Sequence, residues 1–255
     1  MKSLYRIGAI ALATATLSLG NSAIANPQVN LQDRFLTSNL KNFNPPDRGA
    51  PPSTSAGGSR GCATATTDAS QPKALSVLSL KQHIPLTLAA HPTFFFYVPS
   101  GLESTVEFSL HKFDVTRDRD TEKVYTIELS VPPEGGIISY QLPQTPQHAL
   151  EVGQMYHWYV VVPCRDTALV EYDFSDGFIE RTNADALPIN LNEGLANTDP
   201  SDAIALANLY AEAGVWHETL EYLAQARNAN PQDTAIQARW QSLLNTANLG
   251  EYSEE

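Results

Sequence analysis

The chain has 255 residues, 42% of them hydrophobic, two cysteines and a formal charge of −12. That length holds one or two domains, and the apolar fraction argues against wholesale disorder. The acidic balance does not suit a nucleic-acid partner, and two cysteines cannot build a Cys-rich zinc site or a dense disulfide scaffold.

The first residues fall into three parts. Met1 to Arg6 carries Lys2 and Arg6, Ile7 to Leu19 is apolar, and Ser22-Ala23-Ile24-Ala25 ends in small residues. This is the pattern of a secretory signal peptide over residues 1–25, and its apolar run is too short to span a hydrocarbon core of ~30 Å comfortably. The expected mature chain begins near Asn26 and keeps 14 Lys and Arg against 28 Asp and Glu, a net of −14. It is expected to be a soluble exported protein, periplasmic, envelope-associated or secreted, with no transmembrane segment after cleavage. Outside a reducing cytosol, Cys62 and Cys164 are expected to form a structural disulfide. A loop of ~100 residues closed this way restricts the unfolded chain by roughly 4–5 kcal/mol on the chain-entropy model. Their separation does not suit a C-x-x-C redox pair.

Residues 26–61 read as a flexible N-terminal region. From Pro45 to Gly61, Pro, Gly and Ser fill 11 of 17 positions, too polar and turn-rich to bury a core of its own. A β domain is expected over 62–187. Thr93–Val98, Thr105–Phe113, Val124–Val131, Ile137–Leu142 and Tyr156–Cys164 are β-branched or aromatic runs separated by Pro, Gly and charged loops, with weaker strands at Ala74–Leu80 and Phe178–Arg181. Several alternate cleanly, including Val106/Phe108/Leu110 and Tyr156/Trp158/Val160/Val162, so one face of each strand meets a core. About seven strands with no intervening helix predict a β-rich fold with α, an antiparallel β-sandwich, immunoglobulin-like in a loose sense.

The pattern then changes to helical spacing over 198–248. Asp199-Pro200-Ser201-Asp202 is a helix start, and Leu206, Ala207, Tyr210, Gly214, Trp216, Thr219, Leu223, Ala226 and Pro231 stand in the order of one tetratricopeptide repeat, with Thr219 where a small Ala is usual. A third helix is expected from Asp233 to about Ala247, and an acidic tail over 249–255. One repeat is short of the ~3 that a solenoid needs to be stable alone, so these helices are expected to cap the sandwich rather than form an open peptide groove. From Asn183 onward 11 Asp and Glu face only Arg227 and Arg239, which favours a basic partner over an anionic one.

No G-x-S-x-G element and no G-x-x-x-x-G-K phosphate loop is present, and the six histidines form no i, i+2 or i, i+4 pair. No cofactor and no metal is expected. Asp114, Asp118 and Asp120 lie in a loop with Arg117 and Arg119 that reads as a solvated hairpin tip rather than a calcium loop. If Tyr156 and Trp158 face the core, His157 and Tyr159 face outward, and Phe95 and Tyr97 form a second outward row that the helices are expected to cover. The candidate binding surface is Tyr97, His157, Tyr159, Tyr210 and Trp216.

Five elements in order carry a family resemblance: PDRGAP (Pro46 to Pro51), Gly57-Gly-Ser-Arg-Gly-Cys62, HPTFFFYVP (His91 to Pro99), LEVGQMYHWYVVVPC (Leu150 to Cys164), and Ala213-Gly-Val-Trp216. Together they resemble a cyanobacterial family of exported proteins known only as domain of unknown function 928. The resemblance implies a secreted or cell-envelope location and supplies no catalytic residues. The expected function is a non-catalytic binding or scaffold protein of the envelope, with another envelope protein or a peptide as partner. The alternatives are a carbohydrate-binding module using outward aromatics such as Tyr159 and Tyr97, and a hydrolase with loop-borne carboxylates.

Overall fold

The computed structural model describes residues 43–52, 73–101, 105–163 and 172–255, all within one compact unit, Ser38–Glu255. The leader over residues 1–25 and both cysteines of the expected disulfide lie outside the described residues. Among the described residues eight strands are present: β1 (Ser76–Val77), β2 (Leu86–Thr87), β3 (Thr93–Val98), β4 (Thr105–Asp114), β5 (Arg119–Ser130), β6 (Gly136–Gln141), β7 (Met155–Pro163) and β8 (Tyr172–Arg181). They form a three-stranded sheet in the order β1-β3-β6 and a five-stranded sheet in the order β2-β8-β7-β4-β5.

The period-two residues meet between these sheets. Phe94, Phe96 and Val98 of β3 face Val106, Phe108 and Leu110 of β4 and Tyr156, Trp158, Val160 and Val162 of β7 in one buried cluster. The Phe94 ring lies 4.9 Å from Phe108 and 5.0 Å from Trp158, both tilted, a geometry aromatic pairs favour. Tyr140 on β6 donates to the Tyr125 hydroxyl on β5 at 2.7 Å and joins the two sheets at one side.

Two expectations about the strands change. The five-stranded sheet is mixed rather than antiparallel, because the two-residue β2 joins its margin parallel to β8, with Leu86 opposite Glu180. The strand expected at Phe178–Arg181 is the end of a ten-residue β8. Asp173, Ser175 and Asp176 interrupt its apolar pattern, and two of them have work in the fold: Ser175 Oγ accepts from the Val77 N–H at 3.0 Å, and Asp176 holds a histidine described below.

Four helices follow: α1 (Leu191–Ala196), α2 (Ala203–Glu212), α3 (Trp216–Ala229) and α4 (Thr234–Thr246). Asp202 caps α2 by accepting from the Ala205 N–H at 2.9 Å, and Asp233 caps α4 through Ala235 and Ile236. Gly214 makes the turn between α2 and α3 at φ +71°, where a Cβ would stand 2.4 Å from Pro46 Cδ. None of the helices among the described residues is long and apolar enough to cross a membrane.

The helices lie on the outer face of the small sheet and make a third layer. Phe95 and Tyr97 share a buried cluster with Trp216, Leu220, Leu223, Trp240 and Leu244. Trp216 Nε1 donates to the Leu78 carbonyl at 2.9 Å, and Phe43 meets the Trp216 ring edge-on at 5.2 Å. The start of the Pro/Gly/Ser-rich stretch is therefore packed rather than free: besides Phe43, Arg48 Nη1 pairs with Glu180 at 2.6 Å and Gly49 accepts from the Ile84 N–H.

Two buried ionisable side chains on the first turn of α3 fix the docking. Glu218 Oε1 accepts from the Thr87 hydroxyl at 2.8 Å and from the backbone N–H groups of Leu88 and Ala89 at 2.8 and 2.9 Å. Its burial pushes the carboxyl up, against those bonds. His217 Nδ1 donates to the Thr93 carbonyl at 3.1 Å, and burial pushes the imidazole down to about 4. Stability from the neutral His217 is present above its ordinary value of 6.5 and is lost as pH falls through about 4, roughly 3 kcal/mol at about 1.4 kcal/mol per pH unit. Glu218 has the opposite slope, its contribution being present below 4.5 and lost as pH rises through the raised value. Comparing His217→Gln with the parent cancels Glu218. We predict that the variant is less stable at pH 7 and that urea unfolding shows this deficit shrinking by roughly 3 kcal/mol at pH 4; a deficit constant across that range contradicts the neutral, buried His217.

Candidate functional site

The five residues expected to form a binding surface divide between core and sheet face. Tyr97, Trp216 and Tyr210 are 7%, 0% and 9% exposed. Tyr97 lies against Tyr252 at 4.9 Å under the helices, and Tyr210 stacks on Tyr222 at 5.5 Å. These three are buried: the helical layer covers Tyr97, and Tyr210 and Trp216 lie on the inward sides of α2 and α3, against Tyr222 and Leu78. His157 and Tyr159 do lie on the outer face of the five-stranded sheet, in the central strand β7.

There they enter a polar cluster. His157 Nε2 is 2.9 Å from Asp176 Oδ2 on β8, and Nδ1 is 3.1 Å from Asp120 Oδ1 on β5. The Tyr159 hydroxyl donates to Asp120 Oδ2 at 2.6 Å, and burial with that bond pushes the phenol upward. Phe178 stacks on the His157 ring at 4.1 Å, and Phe113 stands edge-on to both. Asp120 was read from the sequence as part of a solvated hairpin tip. The β4–β5 ladder instead shifts register between Leu110 and Phe113, so that Phe113 pairs with Asp120 and the carboxylate turns onto the sheet face. With a carboxylate at each ring nitrogen, His157 has no nitrogen left for a substrate, and among the described residues no group of three His, Cys, Asp or Glu is placed to hold a metal ion. The cluster clips the hairpin to the sheet.

A second site, invisible in the sequence, lies where the small sheet meets α3 and α4. A cavity of about 550 Å³ opens between β6 and these helices. Phe95, Ile137 and Trp240 give it an apolar floor; Arg227, Asn228 and Gln237 stand at its helical side. Ser139 and Ile137 pair with Phe95 and Tyr97, which puts them on the helix-facing side of the sheet. Gly135 opens β6 at φ +71°, and a Cβ there would fall 2.3 Å from the Val98 carbonyl oxygen, so the turn at this end of the cavity accepts only glycine.

The edge beside this cavity is unlike the other sheet edges. β1 and β2 have two residues each, and β5 carries Arg119, Asp120, Glu122, Lys123 and Glu128. Short length and charge are the usual ways to keep a sheet edge from pairing. β6 has six residues, Gly-Ile-Ile-Ser-Tyr-Gln, and no charge. Among the described residues it pairs only with β3.

If Asp120 clips the hairpin, Asp120→Ala leaves the Tyr159 hydroxyl and one His157 nitrogen without that partner. The expected loss in urea unfolding is roughly 1–3 kcal/mol. Asp118→Asn, at the exposed tip, is expected to stay within about 0.5 kcal/mol of the parent.

A family model described as "Domain of Unknown Function (DUF928)" matches residues 55–255. No curated protein matches the chain. A solved structure, "X-Ray photoreduction of Polysaccharide monooxygenase CBM33", is similar over 39% of this chain and 61% of that chain, at 14% identity and a TM-score of 0.26, too distant to carry an argument about fold or activity. Four of the five ordered elements, all but Pro46 to Pro51, fall within the matched residues, which make up about four fifths of the sequence, and the chain belongs to the DUF928 family.

Proposed function

We propose that this protein is an exported binding or scaffold protein of the cell envelope, and that it receives an extended segment of a protein partner in the cavity beside β6. The observation that supports this reading is the combination of an uncharged six-residue edge strand with an aromatic-floored cavity on the same side. An added strand gains main-chain hydrogen bonds from such an edge, while alternate side chains enter the pocket and set specificity. In this reading the leader is removed after Ala25, a Cys62–Cys164 bridge staples the β domain outside the cytosol, and α3, the second helix of the tetratricopeptide-like pair, supplies a wall of the cavity together with α4. No reaction is assigned to the protein.

A photo-crosslinking residue at Ser139, on the exposed face of β6, tests this in the native host. The expected adduct is with one envelope protein, and Asn228→Trp, which fills the cavity mouth from an exposed helix position, abolishes it. An adduct that survives Asn228→Trp contradicts the cavity as the site. Protein recovered from the cytosol with Met1 intact contradicts export.

A glycan-binding reading has one observation in its favour. Tyr159 is half-buried and Tyr172 is 60% exposed on the same outer sheet face. Aromatic faces of this kind stack on sugar rings, yet Tyr97, the other ring this reading needs, lies in the core. If it holds, glycan-array binding disappears in both Tyr159→Ala and Tyr172→Ala; binding unchanged by either removes it.

A further inference from the structure

Among the described residues lining the cavity beside β6, Arg227 is the one cation, and it makes no ion pair with a carboxylate. Arg227 is one of two basic residues among the 73 from Asn183 onward, against 11 Asp and Glu. It sits in the last turn of α3, over the Trp240 ring at 5.4 Å from the centroid, and its Nε donates to Gln237 Oε1 at 3.0 Å. Among the described residues no carboxylate lies within ion-pair distance of it. Glu255, the other charged side chain at the cavity, is held by Lys73. Burial lowers the proton affinity of the guanidinium, and the charge of Glu255, which also lines the cavity, partly opposes this. A half-buried arginine near an aromatic ring, whose terminal amino groups make no hydrogen bond among the described residues, presents the planar fork that binds a carboxylate through two parallel bonds.

We propose that the segment seated on β6 aims an Asp or Glu side chain at Arg227 and places an apolar side chain on the cavity floor. This rests on the strand-addition reading above. An added strand alternates its side chains, so both residues must share the helix-facing side and stand an even number of positions apart. The helical end is otherwise strongly acidic, so a densely acidic segment is repelled. The fitting partner is therefore neutral or basic overall, with one carboxylate at the position facing Arg227.

Panning the full mature chain against a random octapeptide library displayed on phage tests this directly. The parent is expected to enrich peptides with one Asp or Glu two or four residues from an apolar residue. A synthetic peptide of that pattern binds about tenfold more tightly than its Gln analogue, as fluorescence anisotropy reads it. Arg227→Gln, checked for an unchanged unfolding midpoint, erases that difference, and Arg227→Glu turns the enrichment toward Lys and Arg. A Gln analogue that binds the parent equally well, or a Glu preference that survives Arg227→Gln, overturns the assignment of Arg227 while leaving strand addition standing. If no peptide is enriched, or the same peptides are enriched on Asn228→Trp, strand addition fails and this inference with it.

Discussion

The organisation of the molecule follows from burying both faces of one strand. β3 reads Thr-Phe-Phe-Phe-Tyr-Val, and all six residues are buried. A strand in a two-layer sandwich has one dry face, and its sequence alternates. Here Phe94, Phe96 and Val98 fill the space between the sheets, which leaves Phe95 and Tyr97 pointing away from it. Leaving large aromatic side chains in water forfeits ~1.5–3 kcal/mol each, so a third layer is needed. The helices are that layer. The sheet in turn supplies an apolar surface on which they pack.

Apolar packing alone does not set how such a layer sits, because hydrophobic burial is non-directional. Polar contacts supply the register. Trp216, His217 and Glu218 are consecutive on α3, and their side chains bond to Leu78, to Thr93, and to the Thr87–Ala89 segment. Thr93 begins β3, Leu78 follows β1, and the Thr87–Ala89 segment starts at the end of β2. One helical turn thus reads three points of the β domain, and a rotation of α3 would leave buried donors and acceptors unpaired at a cost of about 1–3 kcal/mol each. The carboxyl and imidazole are tolerated in the dry interface because burial favours the neutral form of both.

This explains which parts of the structure were legible in the sequence. The strands with clean alternation, β4, β5, β6 and β7, and the helices α2, α3 and α4 followed from local pattern, as did the cover over Phe95 and Tyr97; the six-residue α1 did not. β2 did not, because two residues carry no periodicity. The first half of β8 was hidden by Asp173, Ser175 and Asp176, whose polarity serves tertiary bonds rather than solvent. Tyr210 and Trp216 looked like surface aromatics because their partners, Tyr222, Phe43 and Leu78, are distant in sequence or lack any motif. Asp120 looked like a loop residue because a register shift cannot be read from composition. The cavity beside β6 had no sequence signal at all: it arises between elements, from where the helical layer stops.

Where that layer stops is itself informative. The helices close over β3 but leave the adjacent β6 with an open flank, although Ile137 there belongs partly to the same apolar cluster. Closing the gap would need only larger side chains at exposed positions such as Asn228. The other edges of both sheets are blunted by brevity or by charge, and the β4–β5 tip is further pinned by Asp120 to His157. Among the described residues, three edges are blunted and the fourth is uncharged, glycine-started and beside a half-buried arginine, so exposed pairing capacity is concentrated in one place. An unprotected edge is a liability for aggregation unless something occupies it. On the proposal made above, this edge is left open for an occupant, and the buried β3 is the floor against which it is held.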